Sequence, residues 1–156
     1  MRGEYRFGSG EVLHNSFTNA GIAGILKGAL RNQWPAGGLF VGLCIAVPSR
    51  LITLASIVEP TIGVNGYARI PLARSAIGWP VEGTLAGDPY LESLISTFTA
   101  VGGNFSQGVT RLFLTPEVSS TVGELWALSA ALNAPLIIGP GTPIKQRQFN
   151  YRVYGI

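Results

Sequence analysis

Few of the side chains that commonly carry out catalysis occur in this sequence. It contains one histidine, His14, and one cysteine, Cys44, which lie far apart along the chain. No serine stands in a Gly-x-Ser-x-Gly context, and neither a Ser-His-Asp nor a Cys-His arrangement is indicated. His14 belongs to a polar N-terminal segment and is expected to lie at the surface. Cys44 lies within an apolar run and is expected to be a small buried side chain.

The acidic residues are too dispersed to predict a metal site. Those beyond the N-terminal segment are Glu59, Glu82, Asp88, Glu92, Glu117 and Glu124. Metal sites need Cys, His, Asp or Glu at set spacings, which these residues do not have. Two distant carboxylates can still form a glycosidase pair, so carbohydrate cleavage stays open as an alternative, although the low acid count disfavours it. The sequence therefore predicts a protein that is not an enzyme, with no catalytic residues, no metal and no cofactor.

Composition points to contacts with other protein surfaces. Hydrophobic residues make up 47% of the chain and charged residues 12%, about half the share that is usual for soluble domains. A membrane protein is disfavoured because the longest apolar run, residues 37–47, is far shorter than the roughly 20 residues of a spanning helix. No secretion signal is visible. The net charge of +3 is scattered, so no nucleic acid is expected as a partner. A homo-oligomer, or a protein covered by partners, is the expectation.

Glycine-rich stretches and tryptophans are the remaining candidates for binding a phosphate group or a carbohydrate. Residues 100–104 and 139–143 lack the lysine and the strand-to-helix context of a phosphate loop and are predicted to be turns. Trp34, Trp79 and Trp126 can form a carbohydrate-binding surface, although Trp34 and Trp79 each precede a proline, which favours packing at a turn. Exposure of Trp79 and Trp126 on one open face would indicate carbohydrate binding, and their burial would indicate a structural role.

One segment, residues 15–34, has helical periodicity. Its apolar side chains recur at intervals of three and four positions and form a stripe of Ile22, Ile25, Leu26, Ala29 and Leu30. The expected N-cap is one of Asn15, Ser16, Thr18 and Asn19. Glycines at positions 21, 24 and 28 lower helix propensity but allow another backbone to approach closely. The helix is therefore expected to pack against the rest of the protein.

Beyond Pro35 the sequence alternates between glycine or proline and short runs of β-branched, aromatic and aliphatic residues, which is typical of an all-β domain. Strands are predicted at residues 39–47, 67–73, 98–101, 109–115, 124–130, 136–138 and 145–154. The expected fold is mainly β, an antiparallel, jelly-roll-like β-sandwich with an N-terminal α-helix. Residues 1–35 would be an arm and helix and residues 36–156 the sandwich, together forming one folding unit.

Some of these elements carry more detailed expectations. The strand at residues 39–47 is apolar on both faces and is expected to be covered on both sides. In the last strand, Phe149, Tyr151 and Val153 alternate with polar residues and are expected to face the core. Residues 48–62 and 77–96 are expected to be long excursions between strands, with a short helical turn opening at Asp88.

The stretch "EPTIGVNGYARIPL", from Glu59 to Leu72, combines a turn signal with a pair of opposite charges. Asn-Gly at positions 65 and 66 predicts a tight turn, and the strand after it would place Tyr67 and Arg69 on one face. Glu59 is then expected to pair with Arg69 across the loop and to clamp the excursion to the sheet. The alternative is that Tyr67 and Arg69 contact a sugar or a partner subunit, since both residue types are favoured at interfaces.

The order of these elements resembles a family of small structural proteins of tailed bacteriophages, often labelled tail-fibre-like or virion proteins. The matching residues are 39–43, Glu59, Gly66-Tyr67-Ala68-Arg69 and 136–142. The resemblance spans most of residues 15–156, with no counterpart for the insertion before Glu59 or for residues 78–98. It implies a non-enzymatic virion component, made in the host cytoplasm.

In the particle, such a component would contact copies of itself and other virion proteins. It would be a capsid decoration or cement protein, or a tail or baseplate appendage. An adhesin module that binds or cleaves carbohydrate, with a host surface glycan as its partner, is the alternative.

Overall fold

The computed structural model describes residues 2–6, 12–46, 53–77, 79–85, 88–93, 96–105, 108–129, 131–132, 134–141 and 148–152. Over these residues the protein is mainly β, as predicted, with one α-helix, α1 (Asn19–Arg31). The described strands are β1 (Arg2–Arg6), β2 (Val12–Phe17), β3 (Leu39–Cys44), β4 (Ile70–Leu72), β5 (Val81–Leu85), β6 (Asp88–Glu92), β7 (Arg111–Thr115), β8 (Ala127–Ser129) and β9 (Gln148–Arg152).

All the strands pair in antiparallel fashion in the order β4-β3-β7-β8-β2-β1-β9-β6-β5. β1 and β2 lie in the middle of this order, so the N-terminal residues are part of the sheet. The sequence predicted an arm and helix at residues 1–35 and identified no strands there. The sequence of β1, "RGEYR", has a single apolar residue, so its place in the sheet depends on hydrogen bonds to β2 and β9 rather than on a hydrophobic pattern.

Five predicted strands overlap observed ones, namely β3, β4, β7, β8 and β9. The predicted strands at residues 98–101 and 136–138 are wrong, because each segment contributes only one bridge residue, Phe98 in the first and Leu136, paired with Val109, in the second. The predicted helical turn at Asp88 is also wrong, because Asp88 begins β6, which forms a hairpin with β5. The prediction that Phe149, Tyr151 and Val153 face the core concerns side chains outside the described part of the chain.

The core lies on both faces of β3, whose six residues are all buried, as predicted. Leu39, Val41 and Leu43 point to one face and join the larger of two buried clusters. Cys44 points the other way and joins a smaller cluster with Phe113 and other buried side chains. This strand therefore anchors the architecture, and Cys44 is the small buried side chain that its apolar context predicts.

Helix α1 begins after Thr18, whose hydroxyl accepts a hydrogen bond from the Gly21 N–H at 3.0 Å and donates one to the Leu125 carbonyl. Only part of the predicted apolar stripe packs, because Ile25 contacts the larger buried cluster whereas Leu26 is 49% exposed and Leu30 80% exposed. The fully buried residues of the helix are the glycines at positions 21, 24 and 28. A Cβ at position 21 would overlap the Trp126 carbonyl, so the expected close approach of a backbone is confirmed.

No described helix has both the length and the apolar character that crossing a bilayer requires.

Candidate functional site

The residues singled out in the sequence lie in two separate places. Glu59, Tyr67 and Arg69 meet inside the fold and form what we call the Glu59 cluster. Trp79 and Trp126 line an apolar cavity of about 450 Å³, which we call the tryptophan pocket. The two places have different geometry and different electrostatics, and they are described in turn.

The Glu59 cluster is built around a bidentate ion pair. Arg69 donates from Nη2 to Oε1 of Glu59 at 2.5 Å and from Nε to Oε2 at 3.1 Å, so the predicted pair is present. The Tyr67 hydroxyl donates a third hydrogen bond to Oε2 of Glu59 at 2.9 Å. The pair is removed from water, because the exposed fraction of the side chain is 0% for Arg69 and 9% for Glu59.

The predicted Asn65-Gly66 turn brings Tyr67 and Arg69 back towards Glu59. Both central residues have positive φ, 51° at Asn65 and 80° at Gly66, which asparagine and glycine tolerate best. The Tyr67 N–H closes the turn on the Val64 carbonyl at 3.0 Å, and the Tyr67 carbonyl accepts a hydrogen bond from Gly63 at 2.8 Å. The chain therefore reverses within a few residues.

The Tyr67 hydroxyl fills a gap in the pairing along one edge of β3. β4 pairs with this edge as far as Val41, and the Ile45 N–H further along donates to the Val58 carbonyl at 2.7 Å. The Leu43 N–H between them donates to the Tyr67 hydroxyl at 3.0 Å. A buried N–H without a partner is costly, so the phenol replaces the strand that is missing at this point.

Arg69 also connects the cluster to the loop after β7. Its Nη1 donates to the Glu117 carbonyl at 2.7 Å, and its guanidinium lies 5.2 Å from the centroid of the Phe113 ring. Counted over the whole residue, Tyr67 is 1% exposed and Arg69 is 4% exposed. The alternative prediction, that these two side chains contact a sugar or a partner at the surface, is therefore wrong.

The protonation of Tyr67 fits this internal role. Burial, and secondly the negative charge of Glu59, raise the pKa of Tyr67 well above its ordinary value. The hydroxyl therefore stays protonated and able to donate to Glu59 over the whole neutral range. The cluster offers a fixed network of hydrogen bonds rather than an acid or base for chemistry.

The tryptophan pocket gathers all three tryptophans of the chain. They come from the loop after α1, the segment before β5 and the residue before β8. The lining residues are Phe17, Ile25, Trp34, Leu39, Arg74, Ser75, Ala76, Trp79, Glu82, Leu114 and Trp126. These residues are distant in sequence, and the sequence identified only the three tryptophans among them as possible binding residues.

The three indole rings differ in how much of each is open. Trp126 is 1% exposed, and its Nε1–H donates to Oε2 of Glu124 at 2.8 Å. Trp34 lies under Gly28, and the guanidinium of Arg74 lies 5.7 Å from its ring centroid. Trp34 and Trp79 are both half-buried, so both are more open than Trp126. The burial of Trp126 agrees with a structural role, whereas the half-buried Trp79 is neither openly exposed nor buried.

Two opposite charges lie at the pocket, and neither has a polar partner among the described residues. Arg74 and Glu82 are both exposed, and neither makes a hydrogen bond or an ion pair with any residue that the structure describes. They also do not pair with each other. No local pattern in the sequence identifies them, because only the fold brings residues 74 and 82 beside Trp34 and Leu39.

The described residues contain no cluster of three or more His, Cys, Asp or Glu side chains that could hold a metal ion. Burial raises the pKa of the Cys44 thiol to about 11, so it is poorly suited to act as a nucleophile at neutral pH. The side chain of His14 lies outside the described part of the chain.

Comparison of the chain with protein-family models, with curated proteins and with solved structures finds no match.

Proposed function

We propose that this protein is a non-enzymatic structural component of a tailed bacteriophage particle. The observation that carries the proposal is the position of the Glu59 cluster. The Gly-Tyr-Ala-Arg stretch, on which the resemblance to virion proteins partly rests, commits Tyr67 and Arg69 to the interior of the fold. Residues used in this way cannot bind a substrate, and this supports a structural role for the motif.

Exposed apolar side chains support assembly with copies of the chain and with other virion proteins. Leu30, Ile77 and Val122 are each more than 70% exposed, in a chain with only 12% charged residues. A large apolar patch on a protein surface usually marks a contact with a partner, and these side chains are candidates for such a patch. In the particle, the protein would be a capsid decoration or cement protein, or a tail or baseplate appendage.

The proposed architecture is a sandwich in which the sheet folds over itself. β4 and β5 are consecutive in the chain but lie at opposite ends of the nine-strand order. A flat sheet would separate them by roughly 38 Å. Residues 73–80 can span at most roughly 32 Å. Glu82 of β5 and Leu39 of β3 also line one pocket, which supports a closed arrangement of the jelly-roll kind.

The test of the proposed function uses intact particles. Tailed particles from a culture that produces this protein would be purified on a density gradient, analysed by peptide mass spectrometry and labelled with a gold-conjugated antibody. The proposal predicts that the protein sediments with the particles in many copies, with label at fixed positions on the capsid or tail. Its absence from infectious particles would overturn the proposal.

A carbohydrate-binding adhesin module is the second candidate, and the half-buried ring of Trp79 favours it. Aromatic rings bordered by charged groups suit sugar binding, and Trp79 shares its pocket with Arg74 and Glu82. Cleavage is less well supported than binding, because glycosidases use two carboxylates and Glu82 is the only acid lining the described pocket. Glycan-array binding that disappears in Trp79→Ala would favour the adhesin, and an array without signal would count against it.

A further inference from the structure

A projecting side chain stands next to the tryptophan pocket. Ile77 follows Ala76, which lies in the pocket wall, and is 75% exposed. Two hydrogen bonds fix the turn that carries it, one from the Ile77 N–H to the Ser75 hydroxyl at 3.2 Å and one from the Trp79 N–H to the Ser75 carbonyl at 2.9 Å. A large apolar side chain is thus held in water beside an apolar cavity.

The charges at the pocket have a pattern that is complementary to itself. In a contact between two identical copies related by a two-fold axis, every pair of residues that meets across the contact occurs twice. One cation and one anion on the same surface, Arg74 and Glu82, can therefore form two ion pairs across such a contact. Neither charge has a polar partner among the described residues, so both are available.

We propose that the tryptophan pocket is occupied by a second copy of this chain. Ile77 of each copy enters the pocket of the other, and Arg74 of each copy faces Glu82 of the partner subunit. The inference rests on the self-association that is part of the proposed function, and it assigns that association to one surface. A sugar is less favoured as the occupant, because Gly28 and Arg74 cover Trp34, and Trp126 is almost wholly buried.

Helix α1 extends the apolar surface beyond the pocket. Ile25 lines the pocket, and the next residue, Leu26, is 49% exposed. The N-terminal half of α1 carries no charged side chain, so it presents no unpaired charge to a second copy. The contact therefore has an apolar centre and charged groups at its edge, which is the usual composition of a stable interface.

Charge reversal tests the two-fold contact most sharply. In Arg74→Glu both cross-contacts would join two carboxylates, and in Glu82→Arg both would join two guanidinium groups. In an equimolar mixture of the two variants, a mixed dimer would have opposite charges at both contacts. We expect the parent to dimerise in sedimentation experiments, each variant alone to bind itself about tenfold more weakly or worse, and the mixture to regain most of the parent affinity.

Ile77→Glu tests the apolar part of the contact. We expect it to weaken dimerisation at least as much as either charge reversal, because it places a carboxylate in an apolar pocket. Val101→Glu is the matched control, since Val101 is also an exposed apolar residue, at 66%. It lies beside the Asn65-Gly66 turn, which precedes β4, whereas Arg74 follows β4. This control should dimerise like the parent. Unfolding midpoints near that of the parent would verify that each variant is folded.

The possible results separate this inference from the proposed function. A monomeric parent, or charge variants that dimerise like the parent both alone and mixed, would overturn the assignment of this surface. A monomer that binds a glycan through Trp79 would overturn it in favour of the adhesin. The predicted pattern of dimerisation would support the contact even if the protein were absent from phage particles, and in that case only the proposed virion role would fail.

Discussion

The Glu59 cluster and the tryptophan pocket contain similar groups in different surroundings. Each places an arginine over an aromatic ring, Arg69 at 5.2 Å from the Phe113 centroid and Arg74 at 5.7 Å from the Trp34 centroid. Arg69 is buried and also pairs with Glu59, whereas Arg74 is exposed and has no polar partner in the described chain. The difference is whether the hydrogen-bonding capacity of the guanidinium is met inside the fold.

This difference separates groups that hold the fold from groups that can bind a partner. A buried ion pair that loses one member leaves an uncompensated charge in a poorly solvated place, which is strongly destabilising. An exposed charge such as Arg74 or Glu82 is solvated and contributes little to stability. Substitutions in the Glu59 cluster should therefore change the free energy of unfolding, and substitutions at the pocket edge should mainly change association.

The largest expected effect is that of Arg69→Ala. It leaves the Glu59 carboxylate buried without its cation and removes a donor to the Glu117 carbonyl. We expect a loss of about 3–5 kcal/mol in the free energy of unfolding, measured by urea denaturation. Arg74→Ala is the matched control and should lose at most about 1 kcal/mol, the value of an exposed cation–π contact. Equal losses in the two variants would contradict the distinction between the two regions.

Gly24→Ala should cause the next largest loss of stability, because this residue packs against the Trp126 ring. A Cβ at this position would come closer than 3.0 Å to three atoms of the Trp126 ring, which the surrounding core holds in place. Overpacking of this kind typically costs about 1–3 kcal/mol. In Gly37→Ala, the control, the new methyl group would make ordinary contact with Phe40 at 3.8 Å. If calorimetry gives the two variants the same melting temperature, the close packing of α1 is wrong.

Alkaline pH should destabilise the fold through Cys44 and Tyr67. Burial raises the pKa of the Cys44 thiol from its ordinary 9.0 to about 11, so the folded protein retains a proton that the unfolded chain releases. The stabilising contribution is complete below about pH 9 and is lost as the pH rises towards 11, by up to about 1.4 kcal/mol per pH unit. Tyr67, whose pKa is also raised, adds to the loss at higher pH.

The measurement is urea denaturation between pH 8 and pH 11 of the parent and of Cys44→Ala. The variant should be less stable at pH 8 but should lose less stability per pH unit above about pH 9, because it has no thiol to titrate. Parallel curves for the two proteins would show that the thiol ionises alike in the folded and unfolded states.

The smallest expected effect on stability is that of Glu82→Gln. The carboxylate is exposed and has no partner among the residues described, so the free energy of unfolding should change by less than about 0.5 kcal/mol. Glu59→Gln, the same chemical change inside the cluster, should cost several times more, because it removes the counter-charge of Arg69. If thermal denaturation ranks these two variants in the reverse order, the pocket edge rather than the cluster stabilises the fold.

Local chemistry made part of this structure predictable from the sequence. The Asn65-Gly66 turn follows from the φ values that these residues accept, and the pairing of Glu59 with Arg69 follows from the reversal of the chain there. The burial of both faces of β3 follows from its continuous apolar sequence. In each case the residues that decide the outcome lie within about a dozen positions of one another.

The remaining features depend on contacts between distant parts of the chain. β1 has almost no hydrophobic pattern, so its central place in the sheet cannot be inferred without knowing its neighbours. The apolar stripe of α1 matches its packing face only in part, because the glycines, and not Leu26 or Leu30, lie against the large rings of Trp34 and Trp126. The tryptophans of the pocket are recognisable in the sequence, but the rest of its lining is not, because it comes from many separate segments.

A double-mutant cycle on Glu59 and Arg69 tests the central claim most directly, namely that this ion pair is an internal clamp of the fold. The free energy of unfolding would be measured by urea denaturation for the parent, Glu59→Ala, Arg69→Ala and the double variant. The account predicts similar losses in the two single variants and a double variant scarcely worse than either, so the coupling free energy should be close to one single loss, about 3–5 kcal/mol. Losses that simply add in the double variant would contradict it.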